Sequence, residues 1–151
     1  MTGSAPLLLT PVNSSVCFLL DNSTNVQTTY LSALTTSSPT FNHSKSASSA
    51  RNCYYKAVQV SVSISGVYSI SSNSTIDTVG YLYNNTFNYQ NPNQDILISG
   101  DDEGGNRQFM LAIILQPMKN YTLVVTTYQQ NITGSFRLIA IGAGSTVFVD
   151  L

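Results

Sequence analysis

Residues 58–65 read Val58-Gln59-Val60-Ser61-Val62-Ser63-Ile64-Ser65. β-Branched apolar residues alternate with polar ones, and this period of two places the apolar side chains on one face of an extended strand. The same alternation recurs at residues 67–70, 79–83, 109–115, 121–125, 136–140 and 147–149. No stretch shows the apolar spacing of an amphipathic helix. The chain from residue 55 onward is therefore predicted to be built of β-strands.

Residues that favour turns separate these strands. Asn91-Pro92-Asn93, residues 101–106, Gln116-Pro117 and residues 142–144 combine asparagine, aspartate, proline and glycine, which stabilise reversals of the backbone. Strands that recur every 8–15 residues or so are typical of an antiparallel sandwich. We predict an all-β fold, an antiparallel β-sandwich.

The N-terminal third is less regular. Residues 15–20 and 27–34 are predicted strands, and the serine- and threonine-rich residues 35–49 are predicted to form a surface loop. A chain of 151 residues suits one domain. We therefore divide it into an N-terminal arm or edge strand, residues 1–14, and a single sandwich domain, residues 15–151.

Seven N-glycosylation sequons, Asn-x-Ser/Thr without proline, indicate the compartment. Their acceptors are Asn13, Asn22, Asn42, Asn73, Asn84, Asn120 and Asn131. With 14 asparagines and 37 serines or threonines in the chain, chance alone would supply about three. Because sequons are used in the secretory route, the excess predicts a secreted, glycan-coated protein.

Charge is scarce, at 9% of the residues, and the net charge is −1. The six lysines and arginines form no basic stripe, so nucleic acid is not an expected partner. No apolar run approaches the ~20 residues of a membrane-spanning helix. Attached glycans would supply the solvation that so few charges cannot.

The thiols are Cys17 and Cys53. In an oxidising compartment they are predicted to pair as a disulfide, and the alternative is two buried free thiols. They do not form a zinc motif, because the chain has one histidine, His43. That histidine lies in the polar loop and is predicted to be solvated. No catalytic triad can be assembled around it, so we predict no enzymatic activity.

The acidic turn Asp101-Asp102-Glu103-Gly104-Gly105-Asn106 is the best candidate for chemistry. Calcium takes six to eight or so oxygen ligands, from carboxylates, amides and backbone carbonyls, and glycines let carbonyls turn inward. Asp77 or Asp95 could add a ligand from another strand. The alternative is a solvated acidic turn without a metal.

Four motifs in this region resemble the bacterial pre-peptidase C-terminal domain family across roughly residues 54–142. They are Asp77-x-x-x-Tyr81-Leu82-Tyr83, Asp101-Asp102-x-Gly104-Gly105, Tyr121-x-Leu123-x-Val125 and Gly134-Ser135-Phe136. The resemblance implies a secreted, jelly-roll-like sandwich without catalysis, carried by extracellular enzymes. It also implies calcium at Asp77, Asp101 and Asp102. The chain departs from the family pattern at Val79, where a second aspartate is common.

We predict a structural or adhesive subunit of an extracellular fibre, a homopolymer joined head to tail by strand addition from the N-terminal arm. The alternative is an accessory module of a secreted enzyme that binds calcium, carbohydrate or a matrix protein. Tyr81, Tyr83, Phe87, Tyr89 and Tyr128 could stack on sugars, or they could be ordinary sheet packing.

Overall fold

The computed structural model describes residues 24–151, and these form ten strands. The strands are β1 (Val26–Leu34), β2 (Thr40–Phe41), β3 (Cys53–Val62), β4 (Gly66–Ser74), β5 (Thr78–Asn84), β6 (Ile96–Gly100), β7 (Met110–Leu115), β8 (Tyr121–Thr127), β9 (Gly134–Gly142) and β10 (Thr146–Asp150). Every strand predicted within residues 24–151 is present. The short β2 and the strand β6 were not predicted, since neither shows an alternating pattern longer than a few residues.

The strands form two antiparallel sheets. One sheet has the order β1-β9-β4-β7, and the other has the order β10-β3-β8-β5-β6, with β2 paired to β3. Consecutive strands commonly lie in different sheets, so most connections pass from one layer to the other. The predicted all-β, jelly-roll-like sandwich is confirmed.

The main core lies between the sheets. It takes the inward residues of both layers, among them Val60, Tyr68, Leu111, Leu123 and Leu138, each fully buried. Burying a side chain of this size stabilises the fold by about 1.5–3 kcal/mol. The alternation seen in the sequence is therefore the alternation between this core and the outer faces.

A second apolar cluster covers the outer face of the six-stranded sheet. It consists of Phe41, Val79, Tyr81, Tyr83 and Val124, with Tyr55, Ala57, Phe87 and Ile96 packed against it. The loop around β2 and the loop after β5 supply the covering side chains. As a result β5 and β8 are buried on both faces, and almost all their residues are inaccessible.

One detail of the strand predicted at residues 58–65 was wrong. Ile64 lies beyond the end of β3 and is 53% exposed, so it does not continue the apolar face of residues 58–62. Val147 and Val149 face solvent, and Phe148 between them packs on the core. Asn131 lies in the connection from β8 to β9, which are in different sheets.

The predicted division at residue 14 and the predicted strand at residues 15–20 lie outside the described residues. Residues 24–151 contain no helix long and apolar enough to cross a membrane.

Candidate functional site

The antiparallel pairing of β5 with β6 brings two acidic segments together. Asp77 immediately precedes β5, and Asp101 and Asp102 immediately follow β6. Gly80 pairs with Gly100 in this ladder, so the start of one strand lies beside the end of the other. Residues that are 24 positions apart in sequence thereby become neighbours at one edge of the sheet.

The three aspartates that the family resemblance implies as calcium ligands lie close together. One carboxylate oxygen from each of Asp77, Asp101 and Asp102 lies within 4.8 Å of the other two. Asp77 and Asp101 are half-buried and Asp102 is exposed. The Oδ1 atoms of Asp77 and Asp101 are buried and have no hydrogen-bond partner among the described residues. Buried polar atoms in proteins are nearly always paired, so these two oxygens lack the partner that such atoms usually have.

The electrostatics of the cluster disfavour three ionised carboxylates. Burial raises the pKa of Asp77, and the charge of Asp102 raises it further, while Arg107 opposes this effect. Burial also raises the pKa of Asp101, with further contributions from Asp102 and Asp77. Like charges held at this distance destabilise one another, and a bound cation would remove that repulsion.

The backbone after β6 turns tightly to hold the acids in place. The backbone N–H of Gly105 donates to the carbonyl of Asp102 at 2.9 Å, and the N–H of Gln108 donates to the carbonyl of Gly105 at 3.0 Å. Gly105, Asn106 and Arg107 all have positive φ, the left-handed conformation that glycine and asparagine adopt most readily. Glu103 points back and accepts the N–H of Asp101 at 2.5 Å.

Gln108 links the two acidic segments. Its buried amide donates from Nε2 to the carbonyl of Ile76 at 2.9 Å and to the carbonyl of Arg107 at 2.9 Å. Its Oε1 accepts a hydrogen bond from Thr78 at 3.3 Å. Because Ile76 and Thr78 flank Asp77, Gln108 ties the acidic turn to the segment that carries the third carboxylate. A single glutamine before an apolar strand gives no sequence signal for this role.

Two other positions raised by the sequence lie away from the cluster. Val79, where the family pattern commonly has an aspartate, is fully buried in the second apolar cluster. Asp95 is exposed and precedes β6, so it lies at the opposite end of that strand from Asp101. The candidate ligand set is thus Asp77, Asp101 and Asp102, and Asp77 rather than Asp95 is the acid from another segment.

The prediction that His43 is solvated was wrong. His43 is 9% exposed, and its ring stacks on Phe41 with 5.2 Å between the ring centroids. Its Nδ1 lies 2.9 Å from the hydroxyl of Tyr81, and its Nε2 lies 3.0 Å from the carbonyl oxygen of Thr127. Burial lowers the pKa of His43 to about 4. Both ring nitrogens are therefore engaged in holding the loop over the sheet.

Five of the seven predicted glycan acceptors lie in described residues, and all five are exposed: Asn42, Asn73, Asn84, Asn120 and Asn131. Asn73 lies within β4, on the outer face of its sheet. The Oδ1 atom of Asn42 accepts the N–H of Asn52 at 2.8 Å, and this leaves Nδ2, the atom that carries a glycan, unused by that bond. Asn13 and Asn22 lie outside the described residues.

Cys53 is fully buried at the start of β3, and burial raises the pKa of its thiol. Its predicted partner, Cys17, lies outside the described residues, so the disulfide stays a prediction.

The aromatic residues considered for sugar stacking fall into two groups. Tyr81 and Tyr83 are buried, with 1% or less exposed, and belong to the second apolar cluster. Tyr89 is 55% exposed, Tyr128 is 36% exposed and Phe87 is half-buried. Packing therefore accounts for Tyr81 and Tyr83 and for part of Phe87, and it leaves Tyr89 and Tyr128 accessible.

These features define a class, an antiparallel β-sandwich of jelly-roll type with an acidic cluster at the edge of one sheet. No protein-family model matches the chain, and no curated protein matches it. Among solved structures, it is similar to the pre-peptidase C-terminal domain of collagenase from Bacillus anthracis. The TM-score is 0.45 and the identity 16%, over 76% of this chain and 89% of that one. The four sequence motifs resemble the family of the same name, the pre-peptidase C-terminal domains.

Proposed function

We propose that this chain is a non-catalytic, calcium-binding β-sandwich module of an extracellular protein. The observation that carries the proposal is the convergence of Asp77, Asp101 and Asp102 with two buried oxygens that have no partner among the described residues. The cluster has the composition of a calcium site and the electrostatic strain that a cation would relieve.

The donor set suits calcium better than other common metals. It consists of carboxylate oxygens, and no described histidine or cysteine joins it, so a hard cation is favoured over zinc or copper. Calcium accepts the irregular geometry that a turn provides, whereas magnesium requires near-ideal octahedral ligands. Calcium held here would neutralise the carboxylates and fix the acidic turn to the start of β5.

Calcium titration followed by thermal unfolding tests the proposal. Extracellular modules bind calcium with Kd values of about 10⁻⁴–10⁻³ M. At a concentration near 100 times Kd, a site that exists only in the folded state adds about 2.7 kcal/mol of stability. For a domain of this size the melting temperature should rise by roughly 5–10 °C after chelation and re-addition of calcium. An unchanged melting temperature at 10 mM or so calcium contradicts the proposal.

Two matched variants test whether calcium raises the melting temperature by binding at the acidic cluster. Asp77→Asn removes one member of the cluster and should abolish the rise in melting temperature. Asp95→Asn removes an exposed acid at the other end of β6 and should leave the rise intact. If both variants respond as the wild type does, calcium acts elsewhere and the assignment of the site is wrong.

The non-catalytic part of the proposal is supported by His43. This side chain is buried, and both its ring nitrogens face partners within the fold, so it has no free nitrogen to act as a base. The extracellular part is supported by the exposure of the five described sequon asparagines and by the low content of charge. Intact mass before and after enzymatic removal of glycans tests glycosylation. A gain of two hydrogens on reduction tests the Cys17–Cys53 disulfide.

A second candidate is self-association by strand addition. The strand β7 is an edge of its sheet and carries no charged residue, and Met110 and Ile114 on it are 41% and 64% exposed. Edges without charge or proline readily accept another strand. The donor would be the N-terminal arm of a neighbouring copy, which would make a homopolymer of a structural or adhesive kind.

Deleting residues 1–12 tests this candidate. If the arm donates a strand, the truncated protein should fold and stay monomeric in sedimentation, while the full chain assembles. Assembly of the truncated protein, or a monomeric full chain at high concentration, argues against strand addition. Ile114→Lys should block assembly in the same way, because a charge on an edge strand opposes pairing.

A further inference from the structure

A groove of about 650 Å³ lies on the outer face of the six-stranded sheet. Its floor consists of Ala57, Gln59 and Thr122, from the outward faces of β3 and β8. One wall is the turn at residues 35–39, and the other is residues 85–87. The volume falls within the range of ligand sites, about 300–1,000 Å³.

The second wall is held firmly to the floor. The hydroxyl of Thr122 donates to the carbonyl oxygen of Asn85 at 2.6 Å, and the N–H of Asn85 donates to the carbonyl of Asn120 at 3.1 Å. The ring of Phe87 packs edge to face against Tyr55, with centroids 5.2 Å apart, and lies 4.9 Å from the ring of Tyr83. This wall of the groove is therefore fixed before any ligand arrives.

The lining favours a neutral ligand that has many hydroxyl or amide groups and an apolar face. Gln59, Asn85 and Thr122 offer uncharged donors and acceptors, and Tyr55 and Phe87 offer aromatic surface. The charged lining residue is Lys56, and its Nζ lies 3.4 Å from the carboxylate of Asp150. A phosphate or an acidic peptide would thus find no unpaired cation among the described lining residues. A sugar chain matches this chemistry.

The sequons indicate which sugar chain. Asn120 and Thr122 are the first and third residues of one sequon, and both line the groove. Asn85 and Thr86, from the sequon of Asn84, line the facing wall. A glycan attached at the rim meets the groove at high effective concentration, so even weak contacts would keep it bound.

We propose that the groove holds the first sugars of an N-glycan attached to Asn120 of the same chain. This inference rests on the proposed N-glycosylation and is independent of calcium. The acetamide groups of those sugars would contact Phe87 and Tyr55, and their hydroxyls would bond with Gln59. The glycan would then be a fixed part of the sandwich surface rather than a mobile coat.

The test uses the full chain secreted from a yeast host that attaches N-glycans, with each site mapped by mass spectrometry. Asn120→Gln should lower the melting temperature by about 2–4 °C. Asn131→Gln, which removes a sequon outside the groove, should leave it within a degree or so. After enzymatic deglycosylation, wild type and Asn120→Gln should melt at the same temperature. Gln59→Ala should lose part of the stabilisation while it keeps the glycan.

Nuclear Overhauser contacts between the acetamide methyl groups and the Phe87 ring give a direct readout. The groove inference alone is overturned if these contacts are absent on a chain glycosylated at Asn120 and if Asn120→Gln and Asn131→Gln lower the melting temperature equally. A chain with no glycan at any sequon overturns both this inference and the proposed glycosylation. Glycans at the other sequons but not at Asn120 overturn the groove inference and leave the glycosylation standing.

Discussion

The hydroxyl of Tyr81 lies 2.9 Å from Nδ1 of His43, and together they join the loop after β2 to the outer face of the sheet. The same hydroxyl accepts the N–H of Lys45 at 3.1 Å. With Nε2 donating to the carbonyl of Thr127, the imidazole must be neutral with its proton on Nε2 and with Nδ1 accepting from Tyr81. A second proton on the ring would break this arrangement.

The first prediction concerns acid. The pKa of His43 is about 4 in the folded chain against an ordinary 6.5, so the unfolded chain binds the proton first as pH falls. The stability that neutral His43 contributes is fully present above pH 6.5 and is lost as pH falls through about 4. The total loss in unfolding free energy is about 3 kcal/mol at most. Urea unfolding of wild type and His43→Gln at pH 7, 5 and 4 checks this. The difference in unfolding free energy between them should shrink as pH falls, and a constant difference contradicts the role assigned to His43.

The second prediction concerns the acidic cluster without metal. The folded-state pKa values of Asp77 and Asp101 are raised, so the stability linked to their protonation is present below their unfolded pKa values and is lost as pH rises through the raised ones. At pH 7 the ionised pair therefore destabilises the metal-free fold. Asp77→Asn should raise the unfolding free energy in a chelator by up to about 1 kcal/mol, since these half-buried groups are partly screened. The same variant should be less stable than wild type in saturating calcium. If Asp77→Asn has a lower unfolding free energy than wild type both in the chelator and in saturating calcium, Asp77 has a structural role instead.

The third prediction concerns Gln108. Gln108→Leu keeps the approximate volume but removes the bonds that tie the acidic turn to residues 76–78, so the calcium affinity should fall by about tenfold, as for other residues that orient metal ligands. Gln108→Glu loses the Nε2 donor and adds a charge, and it should not restore the affinity. Isothermal titration at a temperature where all variants are folded gives the affinities. Equal affinities in wild type and Gln108→Leu mean that the turn holds its shape without this side chain.

The strands could be predicted from the sequence because they depend on a local pattern, and alternation identified β3 and β9. The acidic triad depends on the pairing of β5 with β6, so the residues alone left Asp77 and Asp95 as alternatives and only the family resemblance implied Asp77. The loops could not be predicted, because their position depends on what they cover. Phe41 and His43 are apolar or aromatic residues spaced two apart within a polar loop, and that spacing was the available signal for burial.

Burial of β5 on both faces shows the same limit. Alternation in residues 79–83 predicts a strand with one apolar face, but Tyr81, Leu82 and Tyr83 are all inaccessible. The outer residues are covered by loops that are distant in sequence, and a pattern within one strand cannot report a covering supplied from elsewhere.

The last prediction concerns Gly80, which lies in β5 opposite Gly100. A Cβ atom at Gly80 would lie 2.6 Å from a ring carbon of Phe109, and Phe109 is fully buried. Gly80→Ala should therefore lower the unfolding free energy by about 1–3 kcal/mol, the usual range for overpacking. Phe109→Leu makes room, so the double variant should lose less stability than the sum of the two single variants.

Because β5 and β6 also align the acids, Gly80→Ala should weaken the calcium response as well, and the double variant should recover part of it. Strict additivity of the two substitutions in urea unfolding contradicts the contact.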